Sequence, residues 1–203
     1  SMQMMDNGVF PPVVIDHAKG CYLYDTHGKA YLDIISSWWC NLLGHANPEI
    51  NAALKQQVDE LEHVIFTNFT HKPAIELARR LSELLPAGLT KFTFHDNGSS
   101  AVEAALKMAF QYQYQTGHPE RTRFMCLPES YHGETIGALS VGSMDLYAKI
   151  FHPMLMNNFH FKGLDCYRCP YGKTRETCGV ECFEDAEAAF KKYGKETVAC
   201  IVE

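Results

Sequence analysis

Residues Lys91–Gly117 read KFTFHDNGSSAVEAALKMAFQYQYQTG. The stretch opens with Phe92, Thr93 and Phe94, whose β-branched and aromatic side chains predict a short strand. It turns through Asp96, Asn97, Gly98, Ser99 and Ser100, and from Ala101 the apolar positions Val102, Ala105, Leu106, Ala109 and Phe110 recur at helical spacing. Ser100 and Glu103 stand at the S-x-x-E spacing of a capping box, which predicts a helix beginning at Ser100. A strand, a tight Gly/Ser turn and a helix start make an anion site. Unpaired backbone N–H groups point outward there, the helix dipole adds partial positive charge, and Ser99 can add a hydroxyl donor. The reading is a phosphate cradle. Two plainer readings compete: an Asn97-Gly98 hairpin, which the helical periodicity rejects, and a capped helix without a ligand. The spacing is neither G-x-G-x-x-G nor a Walker A loop, which disfavours a dinucleotide or nucleoside triphosphate.

Outward from this stretch, elements of both types alternate. Residues 13–32 alternate apolar and polar around Asp25–Gly28, which predicts an antiparallel hairpin. Ser36-Ser37-Trp38-Trp39 follows and holds both tryptophans of the chain. In an extended segment adjacent side chains face opposite ways, so one indole at least can face a cleft. Asn47-Pro48 starts a helix with apolar positions Ile50, Ala53, Leu54, Val58 and Leu61, and a second runs from about Pro73 to Leu85. RFMCL (123–127) and VACIV (198–202) read as buried strands, with a helix over 183–193 before the second. Strands separated by helices imply a parallel sheet, whose ligands sit at the strand C-terminal ends. That rule puts Asp96–Ser100 and Tyr131–Gly133 on one rim, where an aromatic, an imidazole and an anion cradle suit a phosphorylated aromatic ligand.

Composition narrows the class. The chain has 203 residues, 46% of them hydrophobic, and a net charge of −6, which suits a packed domain and argues against non-specific nucleic-acid binding. No apolar run approaches a membrane span, and the patterning with eight cysteines fits a reducing cytosol. Cys166-x2-Cys169-x8-Cys178-x3-Cys182 is the single metal-like pattern: a tetrahedral zinc site is weighed against reduced loop cysteines. The apolar run ending at Glu203 reads as an interrupted parallel strand, so a piece of a longer protein is expected.

Several segments occur together in one order: Ser36–Trp39, Gly44-His45-x-Asn47-Pro48, Thr70-His71-x-Pro73–Leu77, Asn97–Lys107, Tyr131–Thr135 and Gly137–Val141. In this order the whole chain resembles the N-terminal half of the class III pyridoxal-phosphate aminotransferases. The resemblance implies an α/β, fold type I architecture, truncated. Residues 1–47 would form an N-terminal segment with the hairpin, and 48–203 an incomplete cofactor-binding large domain. It implies pyridoxal 5'-phosphate as cofactor, held by Gly98, Ser99, Tyr131 and His132, with Tyr131 stacked on the pyridine ring. Trp38, Trp39 and Tyr131 would line the substrate pocket. The Trp pair narrows the resemblance to the branch acting in biotin biosynthesis. That branch transfers an amino group from S-adenosylmethionine to 8-amino-7-oxononanoate, giving 7,8-diaminononanoate, as a cytoplasmic homodimer. The family's Schiff-base lysine falls beyond Glu203, so no catalytic residue is assigned in this chain and it is expected to be inactive alone. Glu203 matches a family position near the cofactor but lacks the proline that follows it there, and it is left unassigned. The alternatives are a relative acting on ornithine or 4-aminobutyrate, and a non-catalytic zinc-stabilised module.

Overall fold

The computed structural model describes residues 7–163 and 165–203. They fall into two compact units that divide between Thr90 and Lys91.

The first unit carries a three-stranded antiparallel sheet in the order β1 (Ile15–Lys19), β2 (Tyr22–Asp25), β3 (Ala30–Leu32). The expected turn at Asp25–Gly28 joins β2 to β3. The Asp25 carboxylate fixes it, accepting from the His27 and Lys29 amides at 2.9 Å each and from the Tyr31 hydroxyl at 3.0 Å. These donors, the Lys29 amide foremost, hold the carboxyl below its ordinary range. Gly20, at φ +58°, makes the tighter turn between β1 and β2. It also exchanges two backbone hydrogen bonds with His45, at 3.0 and 2.8 Å. Two helices follow, α1 (Pro48–Glu60) and α2 (Lys72–Leu84). Asn47 caps α1 as its sequence requires, its side-chain oxygen accepting from the Glu49 and Ile50 amides. His71 caps α2 with its ring, accepting from the Ala74 amide. The apolar stripe of α1 is exposed, Leu54 at 60% and Val58 at 62%.

The second unit is built on α3 (Gly98–Gln115), β4 (Arg123–Cys126), α4 (Ile136–Val141), the single turn α5 (Asp145–Ala148), β5 (Phe159–His160), α6 (Cys182–Tyr193) and β6 (Thr197–Ile201). Its sheet is parallel throughout, in the order β5-β4-β6. Both strands read as buried apolar runs are present, but β6 buries only Thr197 and Val198 fully. β4 is sealed on both faces, as a parallel strand between helices must be. Phe124, Cys126, Leu106, Val141 and Val198 form the core on one face; Met125, Phe159 and Ala189 form it on the other. Burial drives the Cys126 thiol up to about 12.

Two local expectations are corrected. Phe92–Phe94 join neither sheet, because a strand exists only where a neighbour completes its backbone hydrogen bonds, and both described ladders run elsewhere. The α3 helix starts at Gly98, with Asn97 and not Ser100 as its cap: Asn97 Oδ1 accepts from the Ser100 amide at 2.9 Å. The capping box does not form, because Glu103 is engaged elsewhere.

Candidate functional site

In the second unit the cradle is the N-terminus of α3. With Asn97 Oδ1 on the Ser100 amide and Asn97 O on the Ala101 amide, the Gly98 and Ser99 N–H groups make no hydrogen bond among the described residues. They are donors at the positive end of an 18-residue helix. The Ser99 hydroxyl accepts from the Glu134 amide at 3.3 Å, which leaves its own proton free to be donated to an anion.

The loop after β4 lies directly on this helix end, although no strand of the parallel sheet leads into α3. Gly133, at φ +122°, packs so closely that a Cβ there would stand 2.1 Å from Ser99 Oγ and 3.0 Å from Ser99 Cα. Glu103, one turn into α3, reaches across instead of back. Its Oε1 accepts from the Gly137 amide at 2.8 Å and the Ala138 amide at 3.3 Å, capping α4. Ser99 and Glu103 thus clamp residues 131–138 against the cradle. The Tyr131 amide donates to Glu203 Oε2 at 2.6 Å, tying the loop to the segment after β6. Sequence reasoning left Glu203 and Glu103 off the site. Glu103 looked like a local cap, and only the placement of Gly137 reveals its partner.

Tyr131 is exposed by 43%, its ring tilted against Tyr147 at 5.6 Å and its hydroxyl 3.2 Å from Glu134 Oε1. Desolvation and then the Glu134 carboxylate push its phenol up, so it stays protonated at neutral pH. His132 Nε2 is buried without a hydrogen-bond partner among the described residues. Desolvation lowers this imidazole, with the Glu203 carboxylate opposing, and the ring is neutral at pH 7. Two helix amides and an imidazole nitrogen without partners among the described residues, a hydroxyl with a free proton and a partly exposed aromatic face fit a phosphorylated aromatic cofactor.

Trp38 and Trp39 belong to the first unit, and their backbone corrects the extended segment read from sequence. Ser36, Ser37, Trp38 and Trp39 have φ of 49, 48, 66 and 68°. They form a left-handed turn closed by a Trp39 N–H to Ile35 O bond of 2.8 Å. L-residues in this region cost roughly 1–2 kcal/mol each, so four in succession require an outside restraint. The restraint is Asp33. Its carboxylate accepts from the Ser37 amide at 2.9 Å, the Ser37 hydroxyl at 2.7 Å and His45 Nε2 at 2.7 Å. These contacts, the Ser37 amide first, hold the carboxyl down at about 2. The indoles are exposed by 67% and 74%, their centroids 5.9 Å apart and their planes at 53°.

The four loop cysteines line one cavity of about 620 Å³ with Tyr171, Lys173 and Arg175. All four are free thiols, and among the described residues no three His, Cys, Asp or Glu side chains are arranged to hold a metal. The loop instead pins itself through its own groups: the Val180 amide donates to Cys178 Sγ at 3.3 Å, and the Tyr171 hydroxyl bonds Asp185. No helix among the described residues is long and apolar enough to cross a membrane.

A parallel sheet with a helix N-terminus and an aromatic loop brought together at its edge is a frame for binding a ligand. The class III aminotransferase profile matches residues 4–203, and the chain belongs to that family. Among curated proteins it is 43% identical to the adenosylmethionine-8-amino-7-oxononanoate aminotransferase of Geobacter sulfurreducens, over 95% of this chain and 43% of that protein. It is likewise 43% identical to that of Nitratidesulfovibrio vulgaris, over 99% of this chain and 38% of the relative. The crystal structure of the Methanocaldococcus jannaschii enzyme of that name superposes with a TM-score of 0.85 at 35% identity, covering 98% of this chain and 43% of that one. An omega transaminase from Pseudomonas jessenii in complex with PMP gives 0.89 at 26% identity, covering all of this chain and 45% of that one. The chain therefore spans about two fifths of the length of the relatives it matches.

Proposed function

We propose that this chain supplies the phosphate-holding and substrate-facing part of a pyridoxal-phosphate-dependent aminotransferase that moves an amino group from S-adenosylmethionine to 8-amino-7-oxononanoate. The observation that carries the cofactor reading is the junction of Ser99 with Gly133 and Glu134. It joins a helix N-terminus to the Tyr131–His132 loop and so pairs a phosphate site with a ring site. The Gly98 and Ser99 amides and the Ser99 hydroxyl would hold the phosphate, and Tyr131 would cover the ring, with His132 next to it in the loop. Bound there, the cofactor supplies the electron sink for amino transfer. The substrate reading is supported by the names of the relatives and by the adjacent indoles, which suit a flat heteroaromatic group.

In this reading residues 1–47 are the N-terminal segment and 48–203 the cofactor-binding portion, a functional division distinct from the two compact units. Lys107 lies within the helix whose N-terminus forms the cradle, more than two turns past Ser99, and is not assigned as the reacting amine. The chain alone is expected to show no transaminase turnover, and the complete enzyme is read as a cytoplasmic homodimer.

Titration calorimetry of the chain with pyridoxamine phosphate and with pyridoxamine tests the cradle without an aldehyde to react with surface lysines. Pyridoxamine phosphate is expected to bind more tightly. Ser99→Ala should weaken it by about 1.5–3 kcal/mol, roughly 10- to 150-fold. Equal affinity for the two ligands, or an unchanged Ser99→Ala, would refute the phosphate site.

A further inference from the structure

The left-handed turn that carries both indoles is held by residues outside it, and those residues are themselves rigidly placed. The Asp33 amide donates to Cys21 O at 2.9 Å, and the His45 backbone is joined to Gly20 by a bond in each direction. Gly44, at φ +84°, makes this approach possible: a Cβ there would stand 3.2 Å from Gly20 Cα. The β1–β2 turn thus fixes the backbone of both Asp33 and His45. Their side chains meet at 2.7 Å, largely shielded from solvent, at 6% and 13% exposure. The other donors on the carboxylate are the Ser37 amide and hydroxyl, from within the turn. The path from sheet to indoles is continuous: Gly20, His45, Asp33, Ser37, Trp38 and Trp39.

We propose that Asp33 and His45 are a positioning pair for substrate recognition. His45 orients the Asp33 carboxylate, Asp33 holds the Ser36–Trp39 turn in its left-handed form, and that form sets the two indoles at a fixed angle. The surface so presented takes a flat heteroaromatic group, the part of the amino donor that an aromatic pair recognises. Neither residue touches the substrate in this assignment. The functional half of the inference rests on the reading that Trp38 and Trp39 line the substrate pocket; the positioning half does not.

Because the chain holds two tryptophans and they are adjacent, their relative orientation can be read by circular dichroism. The signal is the exciton couplet of the indole pair, taken as the difference from Trp39→Phe, which keeps one indole. His45→Ala and Asp33→Ala should lose most of the couplet while the helical signal is retained. His45→Gln, which can still donate to Asp33, should restore it. A full couplet in His45→Ala overturns the proposal, as does a failure of His45→Gln to restore it in a folded chain. Should the alanine variants lose their helical signal as well, Ser37→Ala decides, since it removes one hydroxyl contact: a weakened couplet supports the pair and an unchanged one sinks it. Quenching of the indoles by S-adenosylmethionine is measured alongside. A couplet that depends on His45 without quenching in the wild-type chain would leave the positioning pair standing and refute the pocket reading. Quenching with a couplet indifferent to His45 would do the reverse.

Discussion

Replacing Gly133 by alanine tests the junction of loop and cradle. Two costs follow from the geometry. At φ +122° the backbone lies where an L side chain is strained, and the new Cβ would meet Ser99 Oγ at 2.1 Å, Ser99 Cβ at 2.8 Å and Ser99 Cα at 3.0 Å. The hydroxyl could rotate away, but the Cα belongs to the first turn of α3 and cannot yield without moving the helix start. Strain of this kind and overpacking each cost about 1–3 kcal/mol, so Gly133→Ala should destabilise the second unit by about 2–6 kcal/mol. The suitable assay is native-state hydrogen exchange followed on peptides spanning 124–141, which hold β4 and α4. A loss of 2 kcal/mol in opening free energy appears there as roughly 30-fold faster exchange. The second arm is Ser99→Gly, which deletes the two nearest clashing atoms. Combined with Gly133→Ala it should recover about 1 kcal/mol or more relative to additivity, as contacting sites do. A Gly133→Ala chain within about 0.5 kcal/mol of wild type, or strict additivity of the pair, would refute the claim that Ser99 and Gly133 are in contact.

Glu103→Ala removes the acceptor shared by the Gly137 and Ala138 amides; it should cost about 1–2 kcal/mol, the value of a helix cap, measured by the same exchange experiment. Asn47→Ala should cost about 0.5–2 kcal/mol through loss of the α1 cap, seen as a lower urea midpoint. The Asp33 carboxyl is held at about 2, below its ordinary value of 3.8. Its contribution is therefore complete above pH 4 and is lost as pH falls toward and through 2, and the indole couplet should fade over that acidic window and no earlier. Cys126, with its thiol raised to about 12 and no exposed surface, should resist alkylation in the native chain and react only on unfolding.

Much of this molecule is legible in sequence because the signals are local. Asn47-Pro48 caps α1 as read, since capping involves only residues two or three positions away. The strands over 123–127 and 198–202 are found from apolar runs alone; β4 is sealed on both faces as such a run implies, whereas β6 is only partly buried, with Cys200 exposed. Asp96–Ser100 does lie beside Tyr131–Gly133, but not through the strand-end rule, since no strand of either described sheet leads into α3; the Ser99 side chain meeting Gly133 and Glu134 joins the two segments. Where local signals mislead, a distant partner has won. Glu103 has the spacing of a capping box and spends its carboxylate on Gly137 and Ala138, more than thirty positions away. Phe92–Phe94 have strand composition but lie in neither described sheet. Ser36–Trp39 carries no glycine and no signal for left-handed backbone, and it adopts that form under three hydrogen bonds to Asp33.

The class of fold, a helix following the Gly/Ser turn and the two parallel strands were therefore legible in sequence, because periodicity and apolar runs are properties of neighbouring residues, whereas the helix itself began at Gly98 under an Asn97 cap. Tertiary structure alone decided what braces them: Ser99 against Gly133, Glu103 under α4, and Asp33 with His45 beneath the indole pair. A side-chain hydrogen bond between residues far apart in the chain leaves no period or spacing to read. It exists only once the backbone has brought donor and acceptor within about 3 Å of each other.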